Sequence, residues 1–200
     1  AVSAARLGCR VALINDRPVV GGNNSSEIRV HLGGRIEEGT YKELGGLQKE
    51  FGPEKGGNAQ PAEYYEDQKK MDWLAGEKNV SLFLNFRAIG VTKEGDKITS
   101  VIVKHIESGK ELKFEAPLFS DCTGDGTIGY LAGADYRMGR EGRDEYGESI
   151  APEKADKLTM GSSVQWYSVD NKKSSPFPEF GYGVEFNDCL LYTSPSPRDG

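Results

Sequence analysis

Residues 9–15, Cys9-Arg10-Val11-Ala12-Leu13-Ile14-Asn15, run directly into Asp16-Arg17-Pro18-Val19-Val20-Gly21-Gly22-Asn23-Asn24-Ser25. The first stretch is a short apolar run of the kind buried on both faces in a parallel sheet. The second is a loop in which two adjacent glycines let bare backbone approach a ligand, with Asn and Ser supplying donors and acceptors. Upstream, Ala1-Val2-Ser3-Ala4-Ala5-Arg6-Leu7 predicts a helix of small residues packed on the sheet and stopped by Gly8.

Working outward, residues 35–60 are rich in glycine and charge and read as a surface excursion with one helical piece near 41–51. Pro61 predicts a helix start, running to about Gly76. From Val80 the period shifts toward two, giving strands over 80–86, 88–92, 98–104 and 112–116. The turns Glu94-Gly95-Asp96 and Ser108-Gly109-Lys110 join them as a β-meander. Ala116-Pro117-Leu118-Phe119-Ser120-Asp121 is expected to return as a strand into Cys122-Thr123-Gly124-Asp125-Gly126, which feeds a helix from Thr127 to Ala132 with Gly133 beyond it. This order predicts an α/β chain: a nucleotide-binding, doubly wound parallel sheet with an inserted antiparallel meander.

Composition narrows the function classes. Two hundred residues suffice for one domain and part of another. A net charge of −6 argues against an electrostatic nucleic-acid binder, which needs a basic face. No apolar run is long enough for a membrane span. Cys9, Cys122 and Cys189 share no metal-ligand spacing with each other or with His31 and His105, so no metal site is expected. The absence of Cys-x-x-Cys spacing argues against a dithiol–disulfide redox mechanism, and Cys122 reads as a buried thiol acting as a small hydrophobe.

Two glycine loops carry the expected chemistry. Gly21-Gly22-Asn23 follows the first strand, and Thr123-Gly124-Asp125-Gly126 precedes a helix whose free N–H groups suit a phosphate or a ribityl chain. Both are expected where strands of one parallel sheet end, the usual ligand position in such sheets, and so to converge on one dinucleotide.

The segment from Ala1 to Ile28, with Asn15-Asp16-Arg17-Pro18-Val19-Val20-Gly21-Gly22-Asn23-Asn24-Ser25-Ser26-Glu27, resembles the start of the FAD-dependent oxidoreductase family of the glutathione-reductase-like flavoprotein class. Asp121-Cys122-Thr123-Gly124-Asp125-Gly126, followed by Leu131-Ala132-Gly133-Ala134, is similar to that family's second flavin-contacting motif. Leu158-Thr159-Met160-Gly161-Ser162-Ser163 resembles the opening strand of its substrate domain, and the resemblance covers residues 1–188. It implies a Rossmann-like FAD/NAD(P)-binding sheet and FAD as cofactor. It places Gly21, Gly22 and Asn23 along the pyrophosphate and ribityl side, and Thr123, Gly124, Asp125 and Gly126 across from them, Asp125 accepting from a ribityl hydroxyl. Arg87 and Ala88 would flank the adenine. Asn15 stands where an acid usually bonds the adenosine ribose; an amide keeps the hydrogen bond without the charge.

His31 reads either as an acid/base near the flavin or as a hydrogen-bonded polar residue in a strand. Arg29 reads either as an anion holder or as a salt-bridge partner. Trp73, Trp166 and Tyr167 read as core or pocket wall. The expected domains are an FAD-binding domain over 1–147, lacking the family's Gly-x-Gly-x-x-Gly turn and first strand, then the beginning of an antiparallel substrate domain over 148–188. Residues 189–200 resemble a translated sequencing adapter and are expected to be a non-native tail. Without its first strand the chain alone is expected to hold no FAD and to be inactive, its parent oxidising a small organic substrate. The alternatives are an NAD(P)-dependent dehydrogenase and a non-catalytic carbohydrate- or protein-binding module. Oligomeric state and localisation stay open, the cytoplasm being the default.

Overall fold

A computed structural model describes residues 1–33, 38–161 and 169–174. The chain divides into a unit over Ala1–Tyr167 and a second over Ser168–Gly200; all elements below belong to the first.

Helix α1 (Val2–Arg6) turns Val2 and Ala5 inward and leads into β1 (Val11–Ile14). After the first glycine loop, a 3₁₀ turn at Lys42–Gly45 runs into α2 (Gly46–Phe51), matching the helical piece expected there. The helix expected from Pro61 is broken in two. A 3₁₀ turn (Ala62–Tyr65) stops at Glu66, whose left-handed φ of +47° re-aims the chain into α3 (Asp67–Ala75). Strand β2 (Val80–Phe83) then pairs parallel with β1, Val11 opposite Val80 and Ile14 opposite Phe83. Val2, Val20 and Leu74 are buried together at the core, with Leu13, Met71, Trp73 and Leu82 packed against them.

Only Leu84 and Asn85 separate β2 from β3 (Phe86–Glu94). Asn85 makes the corner with φ +59°, a conformation Asn tolerates better than most residues. Its N–H donates to Arg17 O and its carbonyl accepts from Ile106 N. β3, β4 (Lys97–His105) and β5 (Glu111–Glu115) form the antiparallel meander with Val101 and Val103 buried in it. Helices α4 (Thr127–Leu131) and α5 (Arg143–Tyr146) follow. The architecture is thus mixed α/β, with one parallel and one antiparallel sheet. No helix among the described residues is long and apolar enough to cross a membrane.

Three expectations need correction. Residues 116–121 are not a strand: no described segment pairs with them, and Leu118 is 86% exposed. A strand exists only where a neighbour supplies ladder partners, and the described parallel sheet has two strands, β1 and β2. His31, read in one alternative as a polar residue in a strand, lies in an extended loop. The stretch 158–161 carries no strand either, while Ser162, Ser163, Trp166, Tyr167 and the tail from 175 lie outside the described residues.

Candidate functional site

The first glycine loop is knotted by its own polar groups. Asn24 N donates to Gly21 O, Val30 N to Asn23 O, and Ser25 Oγ to Gly22 O. Gly21 has φ +117° and Gly22 +56°, and a Cβ on Gly21 would overlap Asn24 O. Asn24 and Ser25 are buried and turned into the protein, so they are not the ligand contacts their residue types suggested. Asn24 Nδ2 donates to Val30 O, while its Oδ1 is buried with no partner among the described residues. Gly21, Gly22 and Asn23 stay exposed.

Beneath this loop lies a residue the sequence reading missed. Lys70 on α3 is 2% exposed, and its Nζ donates to Asn24 O at 2.5 Å and Tyr65 O at 2.6 Å. Burial pushes its ammonium below the ordinary lysine range, while Asp67, 4.0 Å away, and Glu66 pull it back up. Asp67 in turn accepts from Ser26 N with both carboxylate oxygens. A lysine in the polar sequence Asp67-Gln68-Lys69-Lys70 gives no hint of burial; only the fold reveals it.

Asn15 directly follows β1, and Arg87 and Ala88 lie near the start of strand β3. The Asn15 amide donates to Arg17 O and Val19 O, closing the loop and leaving its oxygen as acceptor. Phe86 N donates to Asn15 O, which seats the start of β3 beside β1's end. Arg87 pairs with Asp16 at 3.2 Å but stays 66% exposed at its side chain.

The second loop is built by Asp121. Its carboxylate accepts from Thr123 N, Thr123 Oγ1 and Gly129 N, and Thr127 N donates to Thr123 Oγ1. The N–H groups expected to be free at the start of α4 are therefore already occupied. Partial burial pushes the Asp121 carboxyl up, but the hydrogen bonds from Gly129, Thr123 and Ile128 outweigh it and hold the group below the usual carboxylate range. Gly124 (φ +86°) and Gly126 (φ +66°) face open space, and Asp125 is exposed. This loop does not end a strand of the parallel sheet; α4 docks on β3, Lys93 Nζ donating to Ala132 O. No hydrogen bond or ion pair between described residues joins the two loops. Cys122 is exposed, 3.4 Å from Ser120 Oγ, which corrects the expected buried thiol.

Arg29 and His31 follow the first loop. Arg29 has a left-handed φ of +63°, its carbonyl accepting from Tyr65 OH at 2.6 Å and from Ala59 N. Its Nε donates to Ser26 O, and no carboxylate among the described residues pairs with its guanidinium. His31 is exposed and bonded to Asn58. Two open clefts, of about 430 and 470 Å³, are lined by residues such as Gln48 and Pro53 in one and Thr92 and Lys113 in the other; no predicted site residue borders either.

The residues present fit a flavin dinucleotide. The N–H groups of Gly22, Asn23, Gly124, Asp125 and Gly126 donate to no described residue, and unpaired amides at left-handed bends suit pyrophosphate oxygens. Residues 1–187 match the model of the FAD dependent oxidoreductase family. The chain belongs to that family. No curated protein matches it. FAD is accordingly the cofactor of this FAD-dependent oxidoreductase family member, which selects flavin over the nicotinamide alternative.

Proposed function

We propose that this flavoprotein oxidises a small organic substrate, with FAD held across the C-terminal end of β1. The observation that carries the reading is the pair of exposed glycine bends, Gly21–Gly22 and Gly124–Gly126, each with unpaired amides and no side chain in the way. In this reading the fold is Rossmann-like, of the glutathione-reductase-like class. Gly21, Gly22 and Asn23 line the pyrophosphate and ribityl chain on one side, and Thr123, Gly124, Asp125 and Gly126 do so on the other. Asp125, a carboxylate beside an anionic pyrophosphate, serves better as acceptor from a ribityl hydroxyl. Asn15 offers its free oxygen to the adenosine ribose, and Arg87 with Ala88 flanks the adenine; the seating of β3 beside Asn15 supports that grouping.

When bound, FAD supplies a two-electron acceptor for hydride. The chain's own residues supply the rest: His31 takes the proton that leaves the substrate, and Arg29 holds negative charge on the substrate side. The reading requires both loops to face one ligand. Hydrogen–deuterium exchange of the full-length protein with and without FAD tests it, with slowed exchange expected at Gly22–Asn23 and at Gly124–Gly126 together. Protection of one loop alone would remove the other from the site.

A further inference from the structure

The turn from Ser26 to His31 is held more firmly than an exposed loop requires. Arg29 is kept in its left-handed conformation by Tyr65 OH and Ala59 N, and the next residues deliver His31 to Asn58. Asn58 Oδ1 lies 3.0 Å from His31 N and 2.7 Å from His31 Nδ1. A backbone N–H can only donate, so the Asn58 atom it meets is the amide oxygen and not the nitrogen. That oxygen can only accept, so Nδ1 must carry a proton. In the neutral ring the lone pair then resides on Nε2.

We propose that Asn58 is a positioning residue, holding His31 as the Nδ1–H tautomer so that Nε2 is the atom that accepts the substrate's proton. The inference rests on the acid/base role of His31 proposed above. The substrate's O–H or N–H bond breaks as the Nε2–H bond forms, while the carbon-bound hydrogen leaves with its electron pair as hydride for the flavin. Loss of Asn58 leaves the ring intact but frees it to place the proton on Nε2, where it can no longer accept one.

The molecule carries its own control. Ser108 N donates to His105 Nδ1 at 3.2 Å, so His105 has its proton on Nε2. The chain's two histidines are therefore opposite tautomers.

The test is a long-range ¹⁵N–¹H correlation spectrum of the full chain labelled at histidine, taken at alkaline pH. His105→Gln assigns the signals. We expect His31 with a protonated Nδ1 and His105 with a protonated Nε2. Asn58→Ala should shift the His31 tautomer ratio roughly tenfold toward Nε2–H, the equivalent of one net hydrogen bond. Asn58→Asp, which keeps an acceptor oxygen, should retain Nδ1–H. A His31 already on Nε2–H, or a ratio unmoved in Asn58→Ala, overturns the proposal. Flavin reduction in the FAD-loaded, full-length His31→Gln protein reports on the acid/base reading separately. An unchanged rate there removes the role of His31, whatever the spectrum shows.

Discussion

Replacing Lys70 with Met asks whether the buried ammonium holds the first glycine bend. Met retains most of the stem's volume and removes the donors. Two carbonyls, Asn24 O and Tyr65 O, would then lose their partner. A stranded buried acceptor costs about 1–3 kcal/mol, so the pair costs roughly 2–6 kcal/mol. The native fold meanwhile carries a desolvated cation, and relief of that penalty offsets part of the loss. The expected net destabilisation is about 1–3 kcal/mol. The pH dependence separates the two contributions. A lysine with a depressed folded pKa binds fewer protons folded than unfolded between its two pKa values. Its penalty is thus complete below the folded value and is relieved as pH climbs toward the ordinary value of about 10.4. Urea unfolding followed by tryptophan fluorescence from about pH 7 to about pH 10 should show stability rising with pH in the wild type relative to Lys70→Met. Equal stability at neutral pH, or parallel pH profiles, would refute the reasoning.

Gly21→Ala should be more damaging than Gly22→Ala, because the added Cβ meets Asn24 O at the first position and open space at the second. We expect a loss of about 1–2 kcal/mol at Gly22 from its left-handed φ alone and a larger loss at Gly21, read by denaturant midpoints. Tyr65→Phe removes the hydroxyl that donates to Arg29 O and accepts from Gln60 N, both part-buried contacts. A cost of about 1–3 kcal/mol and faster amide exchange at Ala59 and His31 are expected, and unaltered exchange would show that the turn stands without it. Asp121→Asn should weaken the turn into α4 by about 0.5–1 kcal/mol, given the partial exposure of the carboxylate. Because the folded carboxyl titrates low, its contribution is present above the unfolded pKa of about 3.9 and fades as pH falls through the folded value. Acid titrations of the wild type and the variant should therefore converge at low pH.

Local patterns disclosed most of the elements. The apolar run at Val11–Ile14, the alternation after Val80 and the glycine turns at 95 and 109 each act over a few residues, and each formed where its pattern placed it. Residues 116–121 have an equally apolar pattern, but strand formation depends on a neighbour, which sequence cannot display. In the site, the bends at Gly21–Gly22 and Gly124–Gly126 were visible because glycine marks left-handed backbone. What anchors them was not. Lys70 and Tyr65 act from 40 or so residues away on a different element, and Asp121 was legible only as the end of a strand instead of the group that satisfies the turn.

The corner at Asn85 ties the two sheets into one mechanical piece. Two residues separate β2 from β3, and Asn85 is bonded at once to Arg17 and Ile106, so the hairpin stack is tethered at this corner by backbone on both sides. A push on the far tip of the meander would be delivered as torque to the end of β1, where Arg87 pairs with Asp16.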